Sequence, residues 1–374
     1  MSDYTHLVAT ELASAGDEVH VWCPHAEGER TDTPGVEAAS PAGVFVHREL
    51  GRFTPADLRR TGRLLDQFRA PRRLLVQWVP HGYGFKSMNL PFCLWLWNRT
   101  VSHRDTVEVM IHEPYLAFGE GSWKQSGVAL IHRLMTIVLL KAARRVWVSI
   151  PAWEGGLRPY TLGRALPFRW LPVASNIAVV EDSEVVQAIR ARSAPAGEQI
   201  VGHFGTYDRH IKGLLLKSVP ALLQSHAGCV MLLLGRGGEA VRDELTRAYP
   251  ELSGRIHATG TLSARDLSLH ISACDVLVQP YIDGVSSRRT SVMVGLSHGI
   301  PIVTTEGRLT ESLWAESEGV ALAPVEDVRA LVDATRRLLS DEGYRRRMSA
   351  TARALYSERF DVSLTVAALR EAVA

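Results

Sequence analysis

Between Asp275 and Glu311 the chain reads DVLVQPYIDGVSSRRTSVMVGLSHGIPIVTTEGRLTE, a stretch rich in groups that bind anions. The apolar run Val276 to Val278 ends in Gln279, Pro280 and Tyr281 and opens into the polar loop Asp283-Gly284-Val285-Ser286-Ser287-Arg288-Arg289. That order predicts a strand, a loop and a helix. Thr290 or Ser291 is placed to cap the helix continued by Val292, Met293 and Leu296, so that its first N–H groups point back at the loop and stabilise an anion there. Arg288 and Arg289 add fork-shaped positive charge suited to phosphate oxygens, although two adjacent side chains are not expected to face one point. A second strand-to-helix unit follows. Pro301 to Thr304 reads as a buried strand, Gly307 breaks it, and Glu311 falls in the first turn of the next short helix, facing the same crevice. Two such turns in succession point to a phosphorylated ligand.

Two more places carry chemistry. GRGGEA, Gly235 to Ala240, follows the apolar run CVMLLL and opens a helix, which satisfies Gly-x-Gly-x-x-Ala and makes a dinucleotide site a rival reading. A dinucleotide site wants an acid ending the next strand, yet IHATG ends without one and Glu251 precedes it. A tight turn with a purely structural role is the other reading of these glycines. His112 ends the strand VEVMI in the sequence HEPY, at the carboxyl edge where open parallel sheets place ligand groups.

Strands and helices alternate along the chain, as in parallel sheets covered on both faces. One set of strands lies near Val19–Cys23, Leu74–Val79, Val107–Ile111, Val146–Ser149 and Arg169–Val173, expected to form a first sheet. A second set runs through Ile200–Phe204, Val230–Leu234, Ile256–Ala258, Val276–Val278, Ile302–Thr304 and Val320–Leu322. Three helical patterns close the chain, near Val328–Leu339, Tyr344–Tyr356 and Ser363–Val373. With 374 residues, 46% hydrophobic and 22% charged, the chain can bury two ordinary cores. A formal charge of +2, with no basic run interleaved with aromatics, excludes a nucleic-acid surface. Cys23, Cys93, Cys229 and Cys274 show no Cys-x-x-Cys spacing, so buried thiols in a reducing, cytoplasmic setting are expected, without zinc. No charged head followed by an apolar core opens the chain, so no secretion signal is expected. LPFCLWLW, Leu90 to Trp97, is too short to span a bilayer and reads as a helix covering the sheet. VALIHRLMTIVLLKAARRVW, interrupted by His132 and Arg133, reads as a buried helix, with peripheral membrane contact through Lys141, Arg144 and Arg145 the less favoured reading.

The stretch around Asp283 resembles the donor-binding core of the retaining glycosyltransferases with two facing Rossmann-like domains, the GT-B type of family 4, group 1. Asp283-Gly284 matches the family's opening acid and glycine, and Gly299-Ile300-Pro301 matches its closing Gly-x-Pro. Ser291 stands where the family has a second acid, and Glu311, in a stretch resembling Gly-Gly-x-x-Glu, could hold the ribose instead. The chain looks like a divergent branch with its DGVSSRR loop rebuilt around the phosphates.

The resemblance implies an α/β fold of two Rossmann-like domains: residues 1–176, with the last helix, 361–374, packing back on them, and a nucleotide-sugar domain over 177–357. It implies transfer of a sugar from a nucleoside-diphosphate sugar to a hydroxyl acceptor with retention of configuration. His112 and Asp283 would be catalytic, Asp283 and Glu311 acting as ligands for sugar or ribose hydroxyls. Lys212, beside Gly213, would meet the diphosphate, with Arg209 or Arg288 standing in for a family arginine whose place Tyr207 holds. Thr206, Gly235, Arg236, Gly237, Leu262, Gly284, Ser286 and Ser291 complete the implied donor site, and His81, in QWVPHGYGF, would line the acceptor side. The acceptor is a glycan, a lipid-linked sugar or a small molecule. No cofactor beyond the donor and, without an Asp-x-Asp, no metal is expected. A nucleotide-sugar epimerase of the same plan, or a module that binds without turnover, are the alternatives. The family begins with a central strand and a Gly-Gly loop, whereas here a helical pattern over Ser2–Ala15 comes first, so a truncated start is expected.

Overall fold

A computed structural model describes residues 2–24, 43–116, 118 and 123–371. The chain divides into two compact units, residues 1–172 with 362–374 and residues 173–361.

The second unit is built from α6 (Ser183–Ser193), β7 (Gln199–Phe204), α7 (Arg209–Ser225), β8 (Cys229–Leu234), α8 (Gly238–Ala248), β9 (Ile256–Ala258), α9 (Ala264–Ser272), β10 (Val276–Gln279), α10 (Thr290–His298), β11 (Ile302–Glu306), α11 (Leu313–Glu316), β12 (Ala321–Pro324), α12 (Val328–Ser340) and α13 (Glu342–Arg359). Its six strands pair in parallel in the order β12-β11-β10-β7-β8-β9. β8 and β10 are buried at every residue, which is why they read as unbroken runs rather than alternating ones. Val278 lies against α7 and α12, whereas its neighbour Leu277 lies under Gly295 of α10, so helices cover both faces. Every strand expected in this sheet is present.

The first unit contains α1 (Ser2–Ser14), β1 (Val19–Trp22), β2 (Val44–His47), α2 (Pro55–Leu65), β3 (Arg73–Trp78), α3 (Leu90–Ser102), β4 (Thr106–Ile111), α4 (Trp123–Ala142), β5 (Ala143–Val148), α5 (Ala152–Leu157), β6 (Phe168–Trp170) and α14 (Val362–Arg370). The expected single sheet is here two: β3-β4-β5-β6 pair in parallel, and β1 pairs only with β2, a strand too short to stand out in sequence. Among the described residues no strand joins the facing edges of β1 and β3. Side chains connect them instead. Trp22 packs on the core that holds Val76 and Trp78, and Tyr4 of α1 meets the His112 ring edge-on at 5.0 Å. Buried Glu108 of β4 ties the four-stranded sheet together, accepting from Arg73 of β3 and, at 2.7 Å, from the Trp147 indole N–H of β5. α14 joins this unit through the Leu369 carbonyl, which accepts from Arg73, and through an Arg169–Glu371 ion pair. Residues 372 and 373 of the third helical pattern lie outside the described residues.

Candidate functional site

The strand order of the six-stranded sheet reverses between β7 and β10, and at such a switch point the loops leaving the carboxyl ends of the strands diverge to leave a crevice. The residues around it come from the loops after β7, β8, β10 and β11.

The loop after β10 is locked to the loop after β11. Tyr281 N–H donates to the Thr305 hydroxyl at 2.7 Å, that hydroxyl donates to the Tyr281 carbonyl at 2.6 Å, Val285 N–H donates to the Thr305 carbonyl at 2.7 Å, and Leu309 N–H donates to the Asp283 carbonyl at 2.9 Å. Gly284 makes the approach possible: its φ is +87°, and a Cβ there would stand 2.2 Å from Thr310 Oγ1 and 2.4 Å from Gly307 N. Gly307 faces it, with a would-be Cβ 2.8 Å from Gly284 N.

Within this frame Asp283 is nearly buried and its carboxylate is committed on both oxygens, Oδ2 accepting from Arg288 Nη2 at 2.6 Å and Oδ1 from Arg289 Nη2. The two arginines therefore do face one point, contrary to expectation. Residues 286–289 turn tightly, Arg289 N–H donating to the Ser286 carbonyl at 3.0 Å, and a turn lets consecutive side chains converge. Arg289 also lies over the Tyr281 ring at 4.4 Å. The N-cap of α10 is Arg289 itself, not Thr290 or Ser291, and no side chain caps it. Ser291 instead shares a 2.7 Å hydrogen bond with the Tyr281 hydroxyl. Glu311 precedes the N-cap of α11, Ser312, rather than lying in that helix. It accepts from Ser287 N–H at 3.0 Å, from the Ser287 hydroxyl and from the Trp314 indole N–H at 2.7 Å, so it holds the loop in place.

The loop after β7 leads into α7, whose N-cap Asp208 accepts from His210 N–H at 2.7 Å and Ile211 N–H at 3.0 Å. The helix start carries its own carboxylate. Lys212, in the first turn, pairs with Glu244 of α8 at 2.5 Å, while Thr206 and Arg209 are exposed. Tyr207 donates its hydroxyl to the Leu234 carbonyl at 3.1 Å, and its ring backs Gly237, so it ties the loop after β7 to the loop after β8. α8 starts from Gly237, at φ +95° and without a side-chain cap. Gly235 approaches the Gly205 carbonyl, with a would-be Cβ at 3.2 Å; Arg236 is exposed and Leu262 half-buried. Gly205 in turn lies beside Ser291 Oγ and His203 Nε2, 3.9 and 4.0 Å from its would-be Cβ.

Two residues stand out here that the sequence reading passed over, His203 and Gln279, beside one that it named. His203 Nε2, both amide atoms of Gln279 and the Ser286 hydroxyl, which that reading placed at the donor without singling it out, are buried and have no hydrogen-bond partner among the described residues. The signal for His203 and Gln279 was present as polar residues ending otherwise apolar parallel strands. His203 Nδ1 donates to the Val278 carbonyl at 2.8 Å, which leaves Nε2 a bare acceptor, and burial pushes the imidazole down to about 4. The unfolded chain binds a proton near 6.5, so stability is lost as pH falls from about 6.5 towards 4. At about 1.4 kcal/mol per pKa unit the loss is on the order of 2–3 kcal/mol. His203→Gln should flatten that part of the denaturation-midpoint curve; an unchanged slope would show that His203 ionises normally in the folded protein.

In the first unit His112 sits at the carboxyl end of β4, its Nε2 2.8 Å from the Gln77 amide oxygen. Burial lowers it to about 4, so at neutral pH it is an uncharged imidazole. His81 is exposed in the turn after β3, 3.9 Å from the Glu113 carboxylate. Among the described residues no three His, Cys, Asp or Glu side chains gather as metal ligands, and no helix is long and apolar enough to cross a membrane.

Residues 198–341 match the family model described as glycosyl transferases group 1. Sucrose-phosphate synthase from Thermosynechococcus elongatus superposes with a TM-score of 0.72 at 20% identity, covering 98% of this chain and 91% of that one. Anabaena HepE in complex with UDP and glucose gives 0.68 at 16% identity, covering 98% and 94%. A trehalose-phosphate synthase from Burkholderia xenovorans in complex with glucose-6-phosphate gives 0.67 at 12% identity, covering 96% and 94%. No curated protein matches the sequence. The strand order, the switch-point loops and the superpositions together make this a protein of the GT-B fold, in whose second unit residues 198–341 are similar to the group 1 glycosyl transferases.

Proposed function

We propose that the protein transfers a sugar from a nucleoside-diphosphate sugar to a hydroxyl acceptor with retention of anomeric configuration and without a metal. The observation that carries this reading is the carboxyl edge of the six-stranded sheet. There the N-termini of α8 and α10, without side-chain caps, and the paired guanidiniums of Arg288 and Arg289 come from the loops around the switch point, beside buried polar atoms on His203, Gln279 and Ser286 that have no protein partner among the described residues. Helix N-termini and arginine forks suit a diphosphate, and unpaired polar atoms suit the hydroxyls and amides of a nucleotide sugar.

As the glycosidic bond to phosphate breaks, negative charge grows on the diphosphate, and preorganised donors there stabilise the transition state most. Arg288 and Arg289 supply fixed charge, Asp283 keeps them oriented, and Glu311 keeps Ser287 and its loop in register. A leaving phosphate oxygen can take the acceptor proton, so a pair of catalytic carboxylates is unnecessary. His112, neutral near pH 7 and donating Nε2–H to Gln77, is assigned to accepting a hydrogen bond from a donor-sugar hydroxyl at Nδ1, which an imidazolium has no lone pair to do. The complex of HepE with UDP and glucose and that of the trehalose-phosphate synthase with glucose-6-phosphate support a uridine donor and a sugar acceptor as the first pair to try.

The test is release of free nucleoside diphosphate from a panel of nucleotide sugars with sugar and sugar-phosphate acceptors, in the presence of a chelator, with the product read by mass and its anomeric centre by NMR. A product heavier by one sugar, of retained configuration, is expected. His112→Ala should slow its formation by more than about tenfold at nearly unchanged melting temperature. Donor binding without release would instead make the protein a binding module, and epimerised donor would make it an epimerase.

A further inference from the structure

α4 covers the four-stranded sheet with Met135 and Leu139, which lie in the core of the first unit. His132 stands on the same side one turn earlier, buried at 5% exposure, at the level of the loops that leave β3 and β4. A leucine would serve a covering helix there, and the transfer chemistry makes no use of this imidazole. Both ring nitrogens are committed to backbone. Leu116 N–H donates to Nδ1 at 3.1 Å, and Nε2–H donates to the Ser87 carbonyl at 2.8 Å. A backbone N–H only donates and a carbonyl only accepts, so the two bonds fix one neutral tautomer. Arg133, the next residue, donates to the Leu116 carbonyl at 2.8 Å, so α4 grips Leu116 from both sides. Leu116 lies on the loop that begins with His112, and Ser87 on the loop that carries His81. One buried side chain thus joins the two loops that bear these histidines.

The Ser87 end of this link is strained. Gly84, Phe85, Lys86 and Ser87 have φ of +72, +48, +50 and +72°, a run of left-handed backbone in which three residues carry side chains. Each of the three is disfavoured there relative to glycine, so the run persists only where its surroundings hold it. Burial does not hold it, since Phe85 is 45% exposed and Lys86 is exposed. Hydrogen bonds do: Ser87 N–H donates to the Gly84 carbonyl at 2.9 Å, Met88 N–H to the Phe85 carbonyl at 3.1 Å, and His132 to the Ser87 carbonyl. Strained turns gather at binding sites, and this one lies at the carboxyl edge of a parallel sheet, where ligands are taken up. We propose that His132 is a positioning residue for the acceptor, holding the strained turn of residues 84–87 and the segment 112–116 in one register. The acceptor role rests on the sugar-transfer reading, whereas the hold on the turn does not.

The test separates the two bonds. In His132→Gln the amide reaches as far as Nε2 and keeps a donor for Ser87, whereas in His132→Asn it reaches only to Nδ1 and leaves the Ser87 carbonyl bare. Brief trypsin digestion of the folded, full-length protein, read by mass, should cut after Lys86 about tenfold faster in His132→Asn and near the wild-type rate in His132→Gln. Kinetics use the donor and acceptor that the panel above returns, UDP-glucose and glucose 6-phosphate being the first pair. The acceptor KM should rise about tenfold in His132→Asn and largely recover in His132→Gln, while the donor KM moves by less than about twofold in either. Wild-type cutting and wild-type acceptor KM in His132→Asn would overturn the proposal. Equal damage to donor and acceptor KM would overturn it too, because it marks a general loosening of the fold. Faster cutting after Lys86 with an unchanged acceptor KM would make His132 a structural residue only, with the same consequence. Wild-type protein that transfers to no sugar of the panel would sink the transferase reading and the acceptor role together, and the trypsin rates would then report on the hold alone.

Discussion

Gly284→Ala is expected to cost the protein about 3 kcal/mol or more of stability. The residue sits at φ +87°, where an L side chain is strained by about 1–2 kcal/mol. Its new methyl would stand 2.2 Å from Thr310 Oγ1 and 2.4 Å from a backbone nitrogen, so the loop after β11 has to move, at a further cost of about 1–3 kcal/mol. Backbone cannot rotate out of the way as a lysine tip can. The melting temperature should fall by on the order of 10 °C. Gly213→Ala is the control: it lies inside α7 with nothing within 4 Å of its would-be Cβ, and alanine there should be neutral or stabilising by about 0.5–1 kcal/mol. Equal melting temperatures for wild type and Gly284→Ala would show that the two loops are not interlocked.

The second large effect is on activity. Asp283→Ala should cut kcat/KM for a nucleotide-sugar donor by about a hundredfold, because it removes the carboxylate that holds both Arg288 and Arg289. Two neighbouring guanidiniums without a shared counter-charge repel and swing apart, and a preorganised fork becomes two mobile cations. If Asp283 acts only by positioning, the damage falls mainly on donor KM, and Asp283→Asn, which keeps one acceptor oxygen of similar shape, recovers part of it. A loss confined to kcat, equal in the Ala and Asn variants, would instead mean that the carboxylate touches the reacting sugar. Wild-type rates in both would remove Asp283 from the site.

Much of the architecture was legible because parallel strands buried on both faces leave continuous apolar runs. Cys229–Leu234 and Val276–Gln279 fall where the sequence placed them, bounded by glycine and proline. Where a strand is short and half-buried, as Val44–His47 is, that signal fades into the surrounding loop. The separation of β1–β2 from β3–β6 is a matter of hydrogen bonding between distant segments, to which local pattern is blind. The exposed leucines of α3 and α4 were equally invisible: one-dimensional spacing shows that a helix has apolar residues, and packing decides which of them face outward.

The candidate site divides along the same line. From residue types and order alone came the strand-loop-helix units, the glycines, the arginines and His112 at a strand end, because each follows from rules that act over a few neighbours. Only the folded chain decided what each polar group is committed to. Asp283 binds two arginines, Glu311 binds Ser287 and Trp314, Asp208 caps α7, and Lys212 meets Glu244, whereas His203 Nε2 and the side-chain amide of Gln279 remain without protein partners among the described residues. A carboxylate's partner is set by which loops the sheet brings within 3 Å of it, and that distance is a property of the β7–β10–β11 packing that no stretch of sequence carries by itself.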